Sequence, residues 1–225
     1  MSAASSPSPP KASAHAVPLD YSFMGLATLS DMALHDPVGG KKKTSDSLTA
    51  SSNSDASAEA LLRSRSAARS IALRVNNNKI SSLHDMRDAL LTVFDDPSQL
   101  QWLDLSGNAL SSIGRTTFAP CKDIFTLHLH GNKLHKYADV DSLAACLPRL
   151  HALTLHGNPV EEKKHYRNYV IASFPTLTQL DFSSITKGDR EKAETWARIY
   201  KNALKSPKKH RGGGEGDSSS GDQDN

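Results

Sequence analysis

Cysteine is nearly absent from this chain: Cys121 and Cys146 are the only two among 225 residues. Two cannot build the disulfide framework of a small secreted domain, and no Asn-x-Ser/Thr glycan acceptor occurs. Long apolar runs are missing too. No stretch approaches the roughly 18 apolar residues of a membrane-spanning helix, and Met1–Ser13 lacks the apolar centre of a secretory signal. Together these absences point to a reducing, cytoplasmic setting with no membrane partner. Hydrophobic residues are scarce, at 37%, so part of the chain is expected to remain unfolded.

Charge of one sign is also lacking. The formal net charge is +3, and residues 58–204 hold 19 basic against 15 acidic side chains. No concentrated basic stripe exists, so direct nucleic-acid binding is not expected. Catalytic signatures are missing as well: there is no Cys-x-x-Cys, no nucleophile elbow and no paired catalytic carboxylates. Gly39-Gly40-Lys41-Lys42-Lys43-Thr44 falls short of the phosphate-loop spacing. The sequence therefore predicts no enzyme and no cofactor.

What is present is a repeat. The template L-x-x-L-x-L-x-x-N-x-L begins at Leu73-x-Val75-x-x-Asn78-x-Ile80. It recurs as Leu100-x-x-Leu103-x-Leu105-x-x-Asn108-x-Leu110 and as Ile124-x-x-Leu127-x-Leu129-x-x-Asn132-x-Leu134. A fourth copy is Leu150-x-x-Leu153-x-Leu155-x-x-Asn158-x-Val160, and a truncated fifth is Leu177-x-x-Leu180-x-Phe182. The L-x-L pair has period 2, so both side chains face one side of a short strand. Stacked copies align these strands in parallel over a continuous core. The expected fold is an α/β leucine-rich repeat solenoid with parallel concave strands, helical convex segments and a C-terminal helical cap. The asparagines are expected to bridge adjacent turns.

Helical spacing predicts convex helices over 82–95, 137–147 and 161–173, the last opened by Glu161 and Glu162. Thr186-x-x-Asp189 resembles a capping box. Behind it Ala193, Trp196, Ala197, Tyr200 and Leu204 form an apolar stripe that should cover the end of the solenoid. The domain reading is a disordered segment 1–57, repeats over 58–160, a cap over 161–204 and a disordered tail 205–225. Residues 58–70 are a candidate N-terminal cover. Within the first segment, 18–24 is a short apolar motif suited to docking, in cis or on a partner.

Residues flanking the core leucines face the concave surface. They include Arg74, Trp102, Asp104, His128, His130 and His156. Three imidazoles can hold Zn²⁺, but the template supplies no second shell for them, and no metal site is assigned. Trp and Arg are enriched at interface hot spots. The candidate protein-binding residues are therefore Trp102, Arg74, Asp104, His128, His130 and His156, with Tyr21 and Phe23 from the N-terminal motif.

The block Asn158-Pro159-Val160-Glu161-Glu162-Lys163-Lys164-His165-Tyr166-Arg167, followed by Tyr169, Val170 and Leu180-Asp181-Phe182, resembles a cap shared by several leucine-rich repeat classes. Among them are the spliceosomal A-prime protein and axonemal proteins. Pro18-Leu19-Asp20-Tyr21-Ser22-Phe23, Asn76-Asn77-Asn78, the two Leu-His-Gly-Asn tetrads and Asp181 through Trp196 are more specifically similar to the leucine-rich repeat-containing protein 51 family. That resemblance implies a non-enzymatic cytoplasmic leucine-rich repeat protein, and the function expected of the chain is that of a scaffold that binds a protein partner. By analogy it implies a ciliary or flagellar axonemal setting. The alternative is a ribonucleoprotein assembly factor like the A-prime protein.

Overall fold

The computed structural model describes residues 17–43 and 71–201. Expectations for the cover at 58–70, for Leu204 and for the tail 205–225 lie outside the described residues. The strands form one seven-stranded sheet in chain order. They are β1 Leu19–Asp20, β2 Ala72–Arg74, β3 Trp102–Asp104, β4 Thr126–His128, β5 Ala152–Thr154, β6 Gln179–Leu180 and β7 Ser183–Ser184. Pairing is parallel from β1 to β6, with Leu19, Leu73, Leu103, Leu127, Leu153 and Leu180 in register. These leucines and the next apolar partners, Tyr21, Val75, Leu105, Leu129 and Leu155, are all buried.

The convex side carries α1 Met86–Val93, α2 Tyr137–Cys146 and α3 Tyr166–Ser173, followed by the capping helix α4 Lys187–Trp196. Leu83, Met86, Leu90, Val93 and Phe94 are buried as their spacing predicts, and so are Val140, Leu143 and Leu147. The helix expected over 161–173 is divided. Pro159–Glu162 forms a 3-10 turn, and His165 takes a left-handed φ of 67° before α3 starts. Glu161 therefore does not open a helix. Its carboxylate instead accepts from the Gly157 N–H at 2.7 Å.

The asparagines tie each repeat to the one before it. Asn132 Nδ2 donates to the carbonyls of Leu105 and Leu129, and its Oδ1 accepts from the Leu110 N–H. Asn108 and Asn158 repeat this pattern one repeat earlier and one later. Asn78 does the same toward residues read as disordered, donating to the Tyr21 carbonyl at 2.9 Å and accepting from the Leu26 N–H at 3.1 Å.

Residues 17–43 are thus a first, degenerate repeat, which corrects the boundary drawn at residue 57. Leu19-x-Tyr21-x-x-Met24-x-Leu26 follows the template with Met24 in the asparagine position. Among the described residues no repeat precedes it, and Met24 has no earlier turn there to bridge. Leu26, Leu29 and Met32 complete its core. Its outer edge is closed by Val38–Gly40: Asp20 N–H donates to the Gly39 carbonyl, and Val38 N–H to the Asp20 carbonyl. Gly40 is required at that closure, since a Cβ there would lie 2.7 Å from the Pro18 carbonyl oxygen.

At the other end, the Thr186–Asp189 capping box forms reciprocally. Ala193 and Trp196 of α4 are buried, while Tyr200, expected on the same stripe, is exposed. Beyond Trp196 the chain widens into a π-turn over Ala197–Lys201, in which Ala197 still packs on the core while Ile199 and Tyr200 turn off the packed face. Arg190 fastens α4 to the core by donating to the carbonyls of Ile171, Phe174 and Leu177 at 2.6–2.9 Å. Those carbonyls lie at and beyond the C-terminal end of α3, where no helical N–H reaches them. Both cysteines are buried, and burial pushes the Cys121 thiol up to about 12.

Candidate protein-interaction face

The parallel register sets concave side chains in rows. Asp20, Arg74, Asp104, His128 and Thr154 form one row across β1 to β5. Trp102 lies in the neighbouring row, between Ala72 and Thr126, where small neighbours leave its ring room. The Arg74 guanidinium sits over that ring, 5.4 Å from the centroid, and His128 meets it edge-on at 5.4 Å. Arg74 also pairs with Asp20 at 3.4 Å. Burial would raise the Asp20 pKa, but hydrogen bonds from the Ser22 hydroxyl and N–H, with the charge of Arg74, hold it below the ordinary value.

His128 and His130 share one hub. Thr154 Oγ1 lies 2.8 Å from His130 Nδ1 and 3.3 Å from His128 Nδ1. A hydroxyl has one proton to give, so it can donate to one neutral ring and accept from the other. Protonating both rings would leave two N–H donors aimed at one oxygen. His130 and His156 stack at 4.7 Å with rings 7° from parallel. Burial depresses the pKa of His128, assisted by the charges of His130, Arg74 and His156 against the opposing pull of Asp104. Burial and then His156 depress that of His130, against Asp104 and Asp181.

A stability consequence follows. Both groups bind protons less readily folded than unfolded, so the unfolded chain takes up more protons as pH drops below about 6.5. The melting temperature is expected to fall between pH 7.5 and 5.5. His128→Gln with His130→Gln should flatten that decline, and an unchanged slope in the double variant would remove these rings as its cause.

The structure brings Arg74, Trp102, Asp104, His128, His130 and His156 onto one face. It separates the two N-terminal candidates. Tyr21 is fully buried in the core, so its ring cannot meet a partner, which corrects its assignment as a binding residue. Period 2 places Tyr21 beside Leu19 on the inner side of β1. Phe23 is 76% exposed at the rim.

Phe182 joins this face although its sequence position suggested core. Asp181 and Phe182 both have positive φ, 50° and 61°. The chain therefore leaves the strand and reverses into antiparallel β7. Phe182, 59% exposed, lies 5.5–5.8 Å from the rings of His128, His130 and His156. Asp181 turns inward. Its Oδ1 accepts from the Leu155 and His156 N–H groups at 2.6 and 2.9 Å, and its Oδ2 from the Tyr166 hydroxyl at 2.8 Å. In earlier repeats the matching N–H groups of Leu105 and Leu129 donate to the His128 and Thr154 carbonyls of the following strand. Asp181 supplies the acceptor that a further repeat would have brought.

Phe23 is conformationally unusual as well. It occupies the repeat position of Asn77, Gly107, Gly131 and Gly157, all left-handed with φ between 54° and 68°. A Cβ on Gly107 would meet the Asn77 side chain at 2.4 Å, and one on Gly157 would meet the Gly131 backbone at 3.2 Å. The position therefore points at the preceding repeat. Phe23, in the first described repeat, has none to strike among the described residues, but a bulky residue in this conformation still costs about 1–2 kcal/mol.

No helix among the described residues is long and apolar enough to cross a membrane. A leucine-rich repeat family model matches residues 91–206. Leucine-rich repeat-containing protein 51 of Rattus norvegicus is 38% identical over 189 residues, 81% of this chain and 85% of that protein. The Homo sapiens protein of that name is also 38% identical, with the same coverage. U2 small nuclear ribonucleoprotein A' of Schizosaccharomyces pombe is 34% identical over 121 residues, half of each chain. A chain of a Drosophila melanogaster SNF/U2A' complex superposes with a TM-score of 0.49 and 26% identity, covering 59% of this chain and 72% of the other. The sequence match to U2 A' covers half of the chain, whereas that to leucine-rich repeat-containing protein 51 covers 81%. The chain belongs to the leucine-rich repeat-containing protein 51 family.

Proposed function

We propose that this chain is a non-enzymatic scaffold that binds a protein partner through its concave face, with Trp102 as the anchor. The observation that carries the reading is the placement of Trp102. A large ring stands between small neighbours on a sheet whose backbone is already ordered, held by Arg74 on one side and His128 on the other. Little conformational entropy is lost when such a row meets a partner. The face is polar and nearly neutral, and Arg74 is its one permanent cation among the described residues. That supports a protein surface rather than a phosphate backbone, whose binding needs several Lys or Arg contacts.

Membership in the family supports the scaffold role, and by analogy a ciliary or flagellar axonemal setting in the cytoplasm. The likeness to U2 A' keeps a second role in view, a ribonucleoprotein assembly factor acting through protein contact. Tagging the chain in ciliated cells separates the two: axonemal signal supports the first, nuclear-speckle signal the second.

Trp102→Ala is expected to weaken partner capture by about 2 kcal/mol or more, leaving the melting temperature near that of wild type. Quantitative pull-downs from cell extract with the two proteins measure it. Equal recovery of every partner by a folded variant would move the interface off this face.

A further inference from the structure

We propose that the depression at the N-terminal end of the concave face receives a partner segment that sets an apolar side chain beside a Lys or Arg. This rests on the concave-face reading above and adds the chemistry of what binds there. The depression holds about 400 Å³ and is lined by Asp20, Ser22, Phe23, Val38, Arg74, Asn76 and Asp104. That lies at the small end of the range for sites that take a small molecule or a few side chains.

Its lip is apolar and unpartnered. Phe23 and Val38 are 76% and 78% exposed. Phe23 holds a left-handed conformation that three later repeats give to glycine, and its ring stays mostly exposed within the described chain. Strain of this kind persists where something outside the local fold uses it, and here the side chain gained is an exposed aromatic ring.

The floor is net negative. Arg74 lies in register between Asp20 and Asp104. Its charge is engaged by Asp20 at 3.4 Å and by the Trp102 ring. Asp104 uses Oδ1 for the Ser106 N–H and hydroxyl, at 2.9 and 2.6 Å, and Oδ2 has no hydrogen-bond partner among the described residues. The remaining polar neighbours, Ser22 and Asn76, are neutral, and His128 follows Asp104 in the row. An incoming cation meets an uncommitted carboxylate oxygen. An incoming anion meets two carboxylates around one engaged guanidinium. Charge complementarity therefore selects the cation, and the lip selects an apolar side chain next to it.

The test uses the full chain and synthetic peptides carrying one Leu and, three residues on, one Arg, Gln or Glu in a Gly/Ser background. Binding is read by NMR titration. The Arg series is expected to bind at least tenfold tighter than the Glu series. Phe23→Asn, which copies Asn77 of the next repeat, and Asp104→Asn, which keeps an acceptor for Ser106, should each weaken the Arg series at least fivefold without lowering the melting temperature. Equal affinity of the three series, no binding above a Gly/Ser control, or full binding by Phe23→Asn would each overturn the proposal. So would a lower melting temperature in Phe23→Asn, because the ring would then serve the fold. Cellular partner capture by the same variants separates the two readings. Loss with Trp102→Ala but not with Phe23→Asn or Asp104→Asn leaves the concave face standing and ends this proposal. Loss with Phe23→Asn and Asp104→Asn but not with Trp102→Ala keeps the depression as the binding site and removes Trp102 as the anchor.

Discussion

Tyr21→Ala is expected to destabilise the fold by about 3–5 kcal/mol, the cost of deleting a fully buried aromatic ring. Tyr21→Phe should be neutral or slightly stabilising. The contrast comes from the two ends of one side chain. The ring is wholly buried in the first repeat, beside Leu19 and under the Asn78 bridge. The hydroxyl is buried with no hydrogen-bond partner among the described residues. Burial, with the charge of Asp36, pushes its pKa up to about 12. An unsatisfied buried hydroxyl lowers stability, so its removal relieves a cost while truncation of the ring opens a cavity. Urea midpoints of wild type and both variants measure this. A Tyr21→Ala midpoint equal to wild type would mean that the first repeat detaches in solution and the solenoid begins at β2.

Asp181→Ala is expected to cost about 3 kcal/mol or more, with Asp181→Asn costing less than half as much. The alanine leaves the N–H groups of Leu155 and His156 and the hydroxyl of Tyr166 without their acceptors. Each hydrogen bond to a charged group contributes about 1.5–3 kcal/mol, and partial access to water reduces the sum. The amide keeps one oxygen for the two backbone donors and turns its NH₂ toward the tyrosine oxygen. Thermal melts of the three proteins decide the point. Equal losses for the two variants would show that the carboxylate's charge, rather than its acceptors at the strand edge, closes the sheet. Phe182 should respond as well, because Asp181 fixes the turn that holds it over the histidines.

The concave rows were legible down to individual side chains. Arg74, Trp102, Asp104 and His128 each sit beside a core leucine in a period-2 strand, and parallel register then brings them together. Tyr21 and Phe182 were not legible, for opposite reasons. Tyr21 lies in a Ser/Pro-rich neighbourhood and fits the repeat only if Met24 is accepted where asparagine is customary. Phe182 fits the repeat well in sequence, but among the described residues no further parallel strand follows to hold it in the core.

The amino-acid sequence by itself determined the middle of this molecule. An interior repeat meets only copies of itself, so the constraint on each leucine and asparagine recurs along the chain and can be read there. The ends were decided by the tertiary structure. Asn78 needed a carbonyl and an N–H from an earlier repeat, and it took them from Tyr21 and Leu26, more than fifty residues away. Leu155 needed a carbonyl from a later repeat and took a carboxylate from Asp181. Backbone groups at the two faces of a stack must still find partners once the repeat stops. Which side chains or segments supply them is settled by proximity in space, which no local pattern encodes.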